Sequence, residues 1–264
     1  MDNATEAAVS PFGARLRRWR THRGLSQLAL ATSVGSTARH VSFLETGRSR
    51  PSRQMVLRLG EALGVPLRER NQLLHAAGLP VAYPQADLGD RDLAPYLAAV
   101  DRLLQAHLPY PAMVIDPYGT VLLANRACHA LFGADIVGAD LTRRFLADPA
   151  ARHTIANWPE VAWAGLDRLR HQLDRTPFDQ RLRRLVERAE TTLSGVPRPH
   201  RPSTDPVVCP WFRVGDQVVK TIGIAARFES AAEITLDELR IELIYPLDAD
   251  ADRVLRNLVN AADR

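Results

Sequence analysis

Residues 25–47 read Leu-Ser-Gln-Leu-Ala-Leu-Ala-Thr-Ser-Val-Gly-Ser-Thr-Ala-Arg-His-Val-Ser-Phe-Leu-Glu-Thr-Gly, two short helices joined by a tight turn. The Ser26 hydroxyl can accept from the free N–H groups of the first helix, which runs through Leu28, Leu30 and Ala31 to a turn at Val34-Gly35. Thr37 caps the second. There Val41 and Leu44 fall on one face with Ala38 beside them, while Arg39, His40, Phe43 and Thr46 project from the other. A donor-rich outer face on a short helix is what reading the DNA major groove requires. Arg39 stands in the first turn, where a guanidinium can bond guanine O6 and N7 together, and Phe43 follows one turn later at the height of a thymine methyl. The pattern predicts a helix-turn-helix and a duplex DNA partner. An ordinary helical hairpin with a solvated basic face has the same spacing.

Charge separates these two readings. Residues 1–70 hold twelve arginines and no lysine against Asp2, Glu6, Glu45, Glu61 and Glu69, a net of +7 in a chain whose total is +4, so the remainder carries −3. The basic excess therefore sits on the segment that holds the two helices, as a phosphate footprint would.

The stretch also resembles a known family. Gln27-Leu28-Ala29, Val34-Gly35, Ser42-Phe43-Leu44-Glu45-x-Gly47 and Pro51-Ser52 are similar to the XRE family, the phage repressor and Cro type of helix-turn-helix. The resemblance implies that Gln27 touches a phosphate, that Thr37, Ala38, Arg39, His40 and Phe43 face the groove, and that Arg48 and Arg50 clamp the backbone. It further implies a partly buried structural pair between Arg20 and Glu45. Many members carry Gln or Ser on the reading face where this chain has Ala38, so analogy does not supply the operator.

At 264 residues the chain is too long for this module, which needs about 60 to 80, and 46% hydrophobic content supports a second core. Two cysteines, Cys128 and Cys209, are too few for a disulfide framework and too far apart for a zinc-ligand pair, which fits a reduced, cytoplasmic setting. The acidic start lacks an apolar leader and no stretch reaches the length of a membrane span. Thirty-three arginines accompany a single lysine, Lys220, a bias that reads as that of a GC-rich genome.

Prolines and glycines punctuate the rest. Helices are expected over Phe12 to His22, the two motif segments, Pro51 to Leu63 and Pro66 to Ala77, giving an all-α five-helix repressor-type domain over residues 1–79. Residues 80–91 read as a linker and residues 92–264 as the second domain, opening with a helix near Asp92. Ala112 to Ile115 and Thr120 to Ala124 form a hairpin across Asp116-Pro117-Tyr118-Gly119, and Asn125 caps a helix to Gly133. The segment from Leu141 to Leu193 has helical period. Val207 to Val214, Val218 to Phe228 and Leu239 to Tyr245 read as strands, before a last helix over Ala251 to Ala261. Two strands, several helices and three strands predict an α+β domain with a five-stranded antiparallel sheet and helices on one face.

That layout is PAS-like, and Asn125-Arg-Ala-Cys-His-Ala-Leu-Phe-Gly133 after a hairpin is similar to the PAS pattern. Joined to the XRE-like module, the whole chain resembles the MmyB-like transcription regulators of actinobacteria. The resemblance implies a C-terminal domain that holds a small apolar ligand, with fatty acids the suggested class. His129 beside Cys128 is a residue type that haem or a flavin site could use, but the sequence around Cys128 does not match the flavin-adduct motif, so no resident cofactor is expected.

On the strand from Val218 to Phe228 one face carries Thr221, Gly223, Ala225 and Arg227, nearly empty of side-chain volume until the arginine. Such a face admits either a close helix or a ligand, and Arg227 could then pair with a carboxylate. Trp158, Trp163, Trp211 and Phe212 are candidate lining residues, or simple core. Arg240 and Glu242 alternate with Leu239, Ile241 and Leu243, so their strand is expected to show one face to solvent. No His-Glu-x-x-His, G-x-S-x-G, Walker loop or G-x-G-x-x-G occurs, and the eight histidines lack ligand spacing, so neither an enzyme nor a metal site is expected. The sequence reads as a ligand-responsive, homodimeric DNA-binding regulator. A second domain that only dimerises or docks a protein partner, or an enzyme fused to a regulator module, are the alternatives.

Overall fold

Hydroxyl caps set the starts of the first four helices. The computed structural model describes residues 10–148, 150–200 and 207–262, so the acidic start and the last two residues of the second domain lie outside the described residues. Helix α1 (Pro11–His22) is capped by Ser10, α2 (Gln27–Ser33) by Ser26, α3 (Ala38–Thr46) by Thr37 and α4 (Arg53–Ala62) by Ser52, each hydroxyl accepting from a backbone N–H three residues on at 3.0 to 3.2 Å. Helix α5 (Leu67–Ala76) completes the set. Leu16, Trp19, Leu30, Val41, Leu44, Leu59 and Leu74 are buried between them.

Two glycines permit this packing. A Cβ on Gly13 would lie 2.4 Å from the Glu45 carbonyl oxygen, so α1 and α3 can cross this closely only over a glycine. Gly47 ends α3 at φ 77°, the left-handed conformation that stops a helix at low cost.

The chain divides into two compact units, one of Met1–Gln85 with Asp174–Pro177 and Ala232–Ile234, the other of the remainder. Residues 80–85, expected as part of a linker, belong to the first. The Asn71 side chain explains this: its oxygen accepts from Ala82 N and Tyr83 N, and its nitrogen donates to the Tyr83 carbonyl at 2.6 Å.

In the second unit, helix α6 (Ala94–Ala106) precedes strands β1 (Ala112–Ile115) and β2 (Val121–Ala124). Helix α7 (Arg126–Phe132), a π-helical turn (Arg143–Ala147), α8 (Ala151–Thr154), α9 (Trp158–Arg175) and α10 (Gln180–Leu193) follow. Then come β3 (Trp211–Val214), β4 (Gln217–Ala226), α11 (Ile234–Glu238), β5 (Arg240–Pro246) and α12 (Ala249–Ala262). The strands form one antiparallel sheet in the order β2-β1-β5-β4-β3, which puts β5 at its centre.

Helices cover both faces rather than the one expected. On the inner face Met113, Ile115, Phe212 and Ile244 join Phe132, Trp158, Leu166 and Leu182 in the largest core. On the outer face Ala112, Val114 and Ile241 pack with Val100 and Leu104 of α6. Alternation made this visible only in part, because β1 is apolar at all four positions and buried at all four. The coverage is uneven: Ile222 and Ile224 on the outer face of β4 stay 37% and 51% exposed.

Asn125 joins α6, β1 and α7. Its side-chain oxygen accepts from Ala112 N and Cys128 N, and its nitrogen donates to the Leu104 and Tyr110 carbonyls, all at 2.9 to 3.1 Å.

Candidate nucleic-acid interface and ligand site

In the first unit most arginines are occupied internally. Arg20 meets Glu45 through Nε and Nη2 at 2.6 and 3.0 Å and donates to the Leu25 carbonyl at 2.7 Å. Glu45, 1% exposed, also accepts from Gln27 at 2.8 Å and from Arg17 at 3.4 Å. Burial raises the Glu45 pKa, yet the hydrogen bonds from Arg20, Gln27 and Arg17 and the charge of Arg20 outweigh it and hold the carboxyl below its ordinary value. The same contacts raise Arg20.

Other guanidinium groups cap helix ends: Arg58 donates to the Val34 carbonyl, Arg23 to Leu63 O at 2.9 Å and Arg70 to Val65 O at 2.6 Å. Arg15 binds Gln72, Arg53 the Pro80 carbonyl and Arg68 the side chain of Gln85. Among the described residues, Arg39, Arg48 and Arg50 make no hydrogen bond or ion pair, and all three are exposed. Of the twelve arginines behind the net of +7, these three lie on and just after α3.

These residues are arranged around Phe43. Arg39 stacks on its ring at 5.2 Å and Arg48 at 5.9 Å. His40 Nδ1 lies 3.0 Å from Ser36 Oγ, Thr37 spends its oxygen on the cap, and Ala38 is half-buried. The Gln27 amide is turned to Glu45, leaving its oxygen as the group that could face outward. Sequence reasoning named the Arg20–Glu45 pair but not the part played in it by Arg17 and Gln27.

In the second unit the small-residue face of β4 does point inward, since Gly223 pairs with Ile244 and Ala225 with Glu242. What covers it is neither a helix nor open space along its whole length. Thr221 is 2% exposed and donates to the Pro210 carbonyl at 2.5 Å, and Gly223 N–H points at Cys209 Sγ, 3.0 Å away. Past Gly223 the face opens, with Ala225 and Arg227 exposed.

The tryptophans are dispersed. Trp158 is core, its Nε1 donating to the Phe145 carbonyl at 2.9 Å. Trp163 packs against the same core with a buried Nε1 that finds no acceptor. Trp211 pairs with Lys220 and so lies on the opposite face from Thr221, Gly223 and Ala225, lining an open depression with Asn157 and Glu160. Phe212 faces the inner core instead.

Arg240 and Glu242 depart from the solvent-facing position expected of them. They share the inner face with Ile115 and Met113, and each side chain is only 20% exposed. Burial lowers the Arg240 pKa, Glu242 opposes this, and the charges of Arg168 and Arg227 lower it further. The alternating pattern was read correctly, but a polar face on a central strand looks the same in sequence as one turned to water.

Residues 97–258 match the MmyB-like transcription regulator ligand binding domain, and residues 11–73 match a helix-turn-helix domain family. The chain belongs to the MmyB-like transcription regulators. Membership accounts for both units: an all-α DNA-binding module and an α+β domain of PAS-like build that senses a ligand. It is a family of regulators, not enzymes. Among the described residues no group of His, Cys, Asp and Glu could hold a metal ion, and no helix is long and apolar enough to cross a membrane. A comparison with curated proteins finds no match.

Proposed function

We propose that the chain is a homodimeric, sequence-specific transcriptional regulator that reads duplex DNA with α3 and whose C-terminal domain responds to a small apolar molecule of the fatty-acid class. The observation that carries the DNA reading is the sorting of arginines: those without a polar partner, Arg39, Arg48 and Arg50, gather on and beside α3. Arg39 reads guanine, Phe43 meets a thymine methyl, Thr37, Ala38 and His40 flank them, Gln27 offers its oxygen at the helix start, and Arg48 and Arg50 bind phosphates. One such module makes too little contact for tight binding, so two copies on half-sites about 34 Å apart are expected, with the C-terminal domain joining them. Two free thiols are in keeping with a cytoplasmic setting.

In the C-terminal domain the ligand lies against the open part of the small-residue face, beyond Gly223 at Ala225 and Arg227, with Thr221 and Trp163 nearer the core. Trp158 serves as wall rather than contact, and Trp211 lies outside the site. A ligand shifts the regulator only through different affinity for two arrangements of the dimer.

Arg39→Ala tests the DNA reading on a duplex selected from a random library. A loss of about 1 to 3 kcal/mol on that duplex, with little change on random DNA, is expected. Equal losses on both would reject Arg39 as a base reader. Arg48→Ala should weaken both alike and flatten the salt dependence by about one unit of log–log slope.

A further inference from the structure

Helix α6 is apolar over more of its circumference than its contact with the sheet requires. Leu93, Val100 and Leu104 face the sheet and are buried. Tyr96, Ala99 and Leu103 fall at helical spacing on the neighbouring flank and stay exposed, Tyr96 at 50% and Leu103 at 38%. Asp101, Arg102 and Gln105 are confined to the remaining side.

Two ring contacts show which way the bare flank points. At one end of α6 Tyr96 meets Phe228 edge-on at 6.2 Å, and at the other His107 meets Tyr245 at 4.6 Å. Tyr245 pairs with Ile222, so the helix runs along β4 from Phe228 back to Ile222, about 16 Å of helix over about 20 Å of strand. The flank is thus a wall beside the outer face of β4, where Ile222 and Ile224 form an uncovered floor that Val218 continues. All of this lies within the second unit. Of the ten large apolar side chains left exposed among the described residues, five border this one groove. Scattered singly such residues mean little, but gathered they mark a contact surface.

Charge selects the occupant. The charged residues that β3, β4 and β5 turn to this face are Arg213 and Lys220, both where β4 begins, with Glu160 and Asp216 past its edge. At the other end, after Phe228 and ahead of Tyr96, stand Glu229, Asp90 and Asp92 against the single Arg91. None of Arg213, Lys220, Asp90, Asp92 and Glu229 has an ion-pair partner among the described residues. Ile224 is midway, four residues from Lys220 and four from Phe228. A face with an apolar centre and unpaired charges of opposite sign at its ends is complementary to itself after half a turn, as an isologous dimer contact demands. A partner of one sign would meet repulsion at one end.

We propose that the groove between α6 and β4 is the homodimer contact of the C-terminal domain, with a two-fold axis near Ile224 and Lys220 of each copy facing Asp92 of the other. The inference rests on the homodimer reading above and adds to it the surface and its symmetry.

The test is sedimentation velocity of the full chain without DNA across a concentration series. The native protein should form a dimer at micromolar concentration. Ile224→Glu sets like charges against each other at the axis and should raise the dissociation constant at least about a hundredfold, and Leu103→Glu should act in the same direction. Val137→Glu, at an apolar residue 48% exposed elsewhere in this unit, should change nothing. Lys220→Glu and Asp92→Lys should each weaken the dimer severalfold, yet the two variants mixed should recover native affinity, because a mixed pair keeps opposite charges at both ends. Misfolded chains would not recover, so mixing separates a lost contact from a lost fold. A dimer indifferent to Ile224→Glu, or no recovery on mixing, overturns this surface and leaves the homodimer reading standing. A monomeric native chain overturns this surface, and one that also binds its selected duplex as a monomer overturns the homodimer reading with it.

Discussion

Glu45 and Glu242 are both covered carboxylates set among arginines, and the two halves of the molecule treat them in opposite ways. In the helix-turn-helix unit four donors from Arg17, Arg20 and Gln27 converge on Glu45, which is left with little unmet capacity. In the C-terminal unit one ion pair, Arg240 Nε to Glu242 Oε1 at 2.7 Å, is the contact made by Glu242, and the charges of Arg168 and Arg227 bear on Arg240 as well. A saturated pair fixes the crossing of α1 and α3. The second pair, by contrast, lies on the covered face of the central strand with each side chain 20% exposed.

The sharpest way to break this comparison is to remove one member of the saturated pair. Arg20→Ala strands a buried carboxylate and should destabilise the first unit by about 3 to 5 kcal/mol, measured by denaturant unfolding of the full chain followed at Trp19. A loss under about 1 kcal/mol would place Glu45 in the same class as Glu242. The double change Arg240→Met with Glu242→Leu is the counterpart. It replaces a covered ion pair by apolar groups on an apolar face, so unliganded stability should move by less than about 1.5 kcal/mol or rise. Thermal unfolding measures it, and a large loss would make the second pair structural too.

Smaller effects sharpen the contrast. Gly223→Leu presses a side chain onto Cys209 and should cost about 1 to 3 kcal/mol of stability in the second unit, while Ala225→Leu, at an exposed position, should cost little but obstruct a fatty acid such as dodecanoate. Calorimetry and thermal unfolding of the pair separate filling of a site from overpacking of a core. Acid provides the smallest signal. The folded Glu45 carboxyl sits below its ordinary value, so its stabilisation is present above the unfolded pKa and fades as pH falls through the folded one. Below about pH 4 the melting temperature of the first unit should drop, and Glu45→Gln should remove that part of the pH dependence, seen by circular dichroism.

The first unit was legible almost to the residue because its signals are local. Caps at Ser26 and Thr37, the turn at Val34-Gly35 and the stop at Gly47 each act within one helical turn. Order and type of the second unit's strands were legible too, from Asp116-Pro117-Tyr118-Gly119 and Gly215-Asp216 between apolar runs. What escaped was position in the sheet. Nothing in Leu239-Arg-Ile-Glu-Leu shows that β5 will be central, and only that placement turns Arg240 and Glu242 from surface residues into covered ones. The short helix α11 also went unread, five residues being too few for a period to register. For the candidate DNA interface, composition does not separate an arginine that caps a helix from one without a polar partner, because the two are the same letter.

Asn125 has its own consequence. With both lone-pair directions and both amide hydrogens engaged by backbone, and with 1% exposure, its side chain can neither flip nor exchange freely with water. Its two Nδ2 protons should appear in a nitrogen-15 spectrum as a widely split, slowly exchanging pair, set apart from the crowded amides of exposed Asn and Gln. That one doublet would report, in the intact protein and before any ligand is known, whether the junction of α6, β1 and α7 stays closed while the rest of the domain responds.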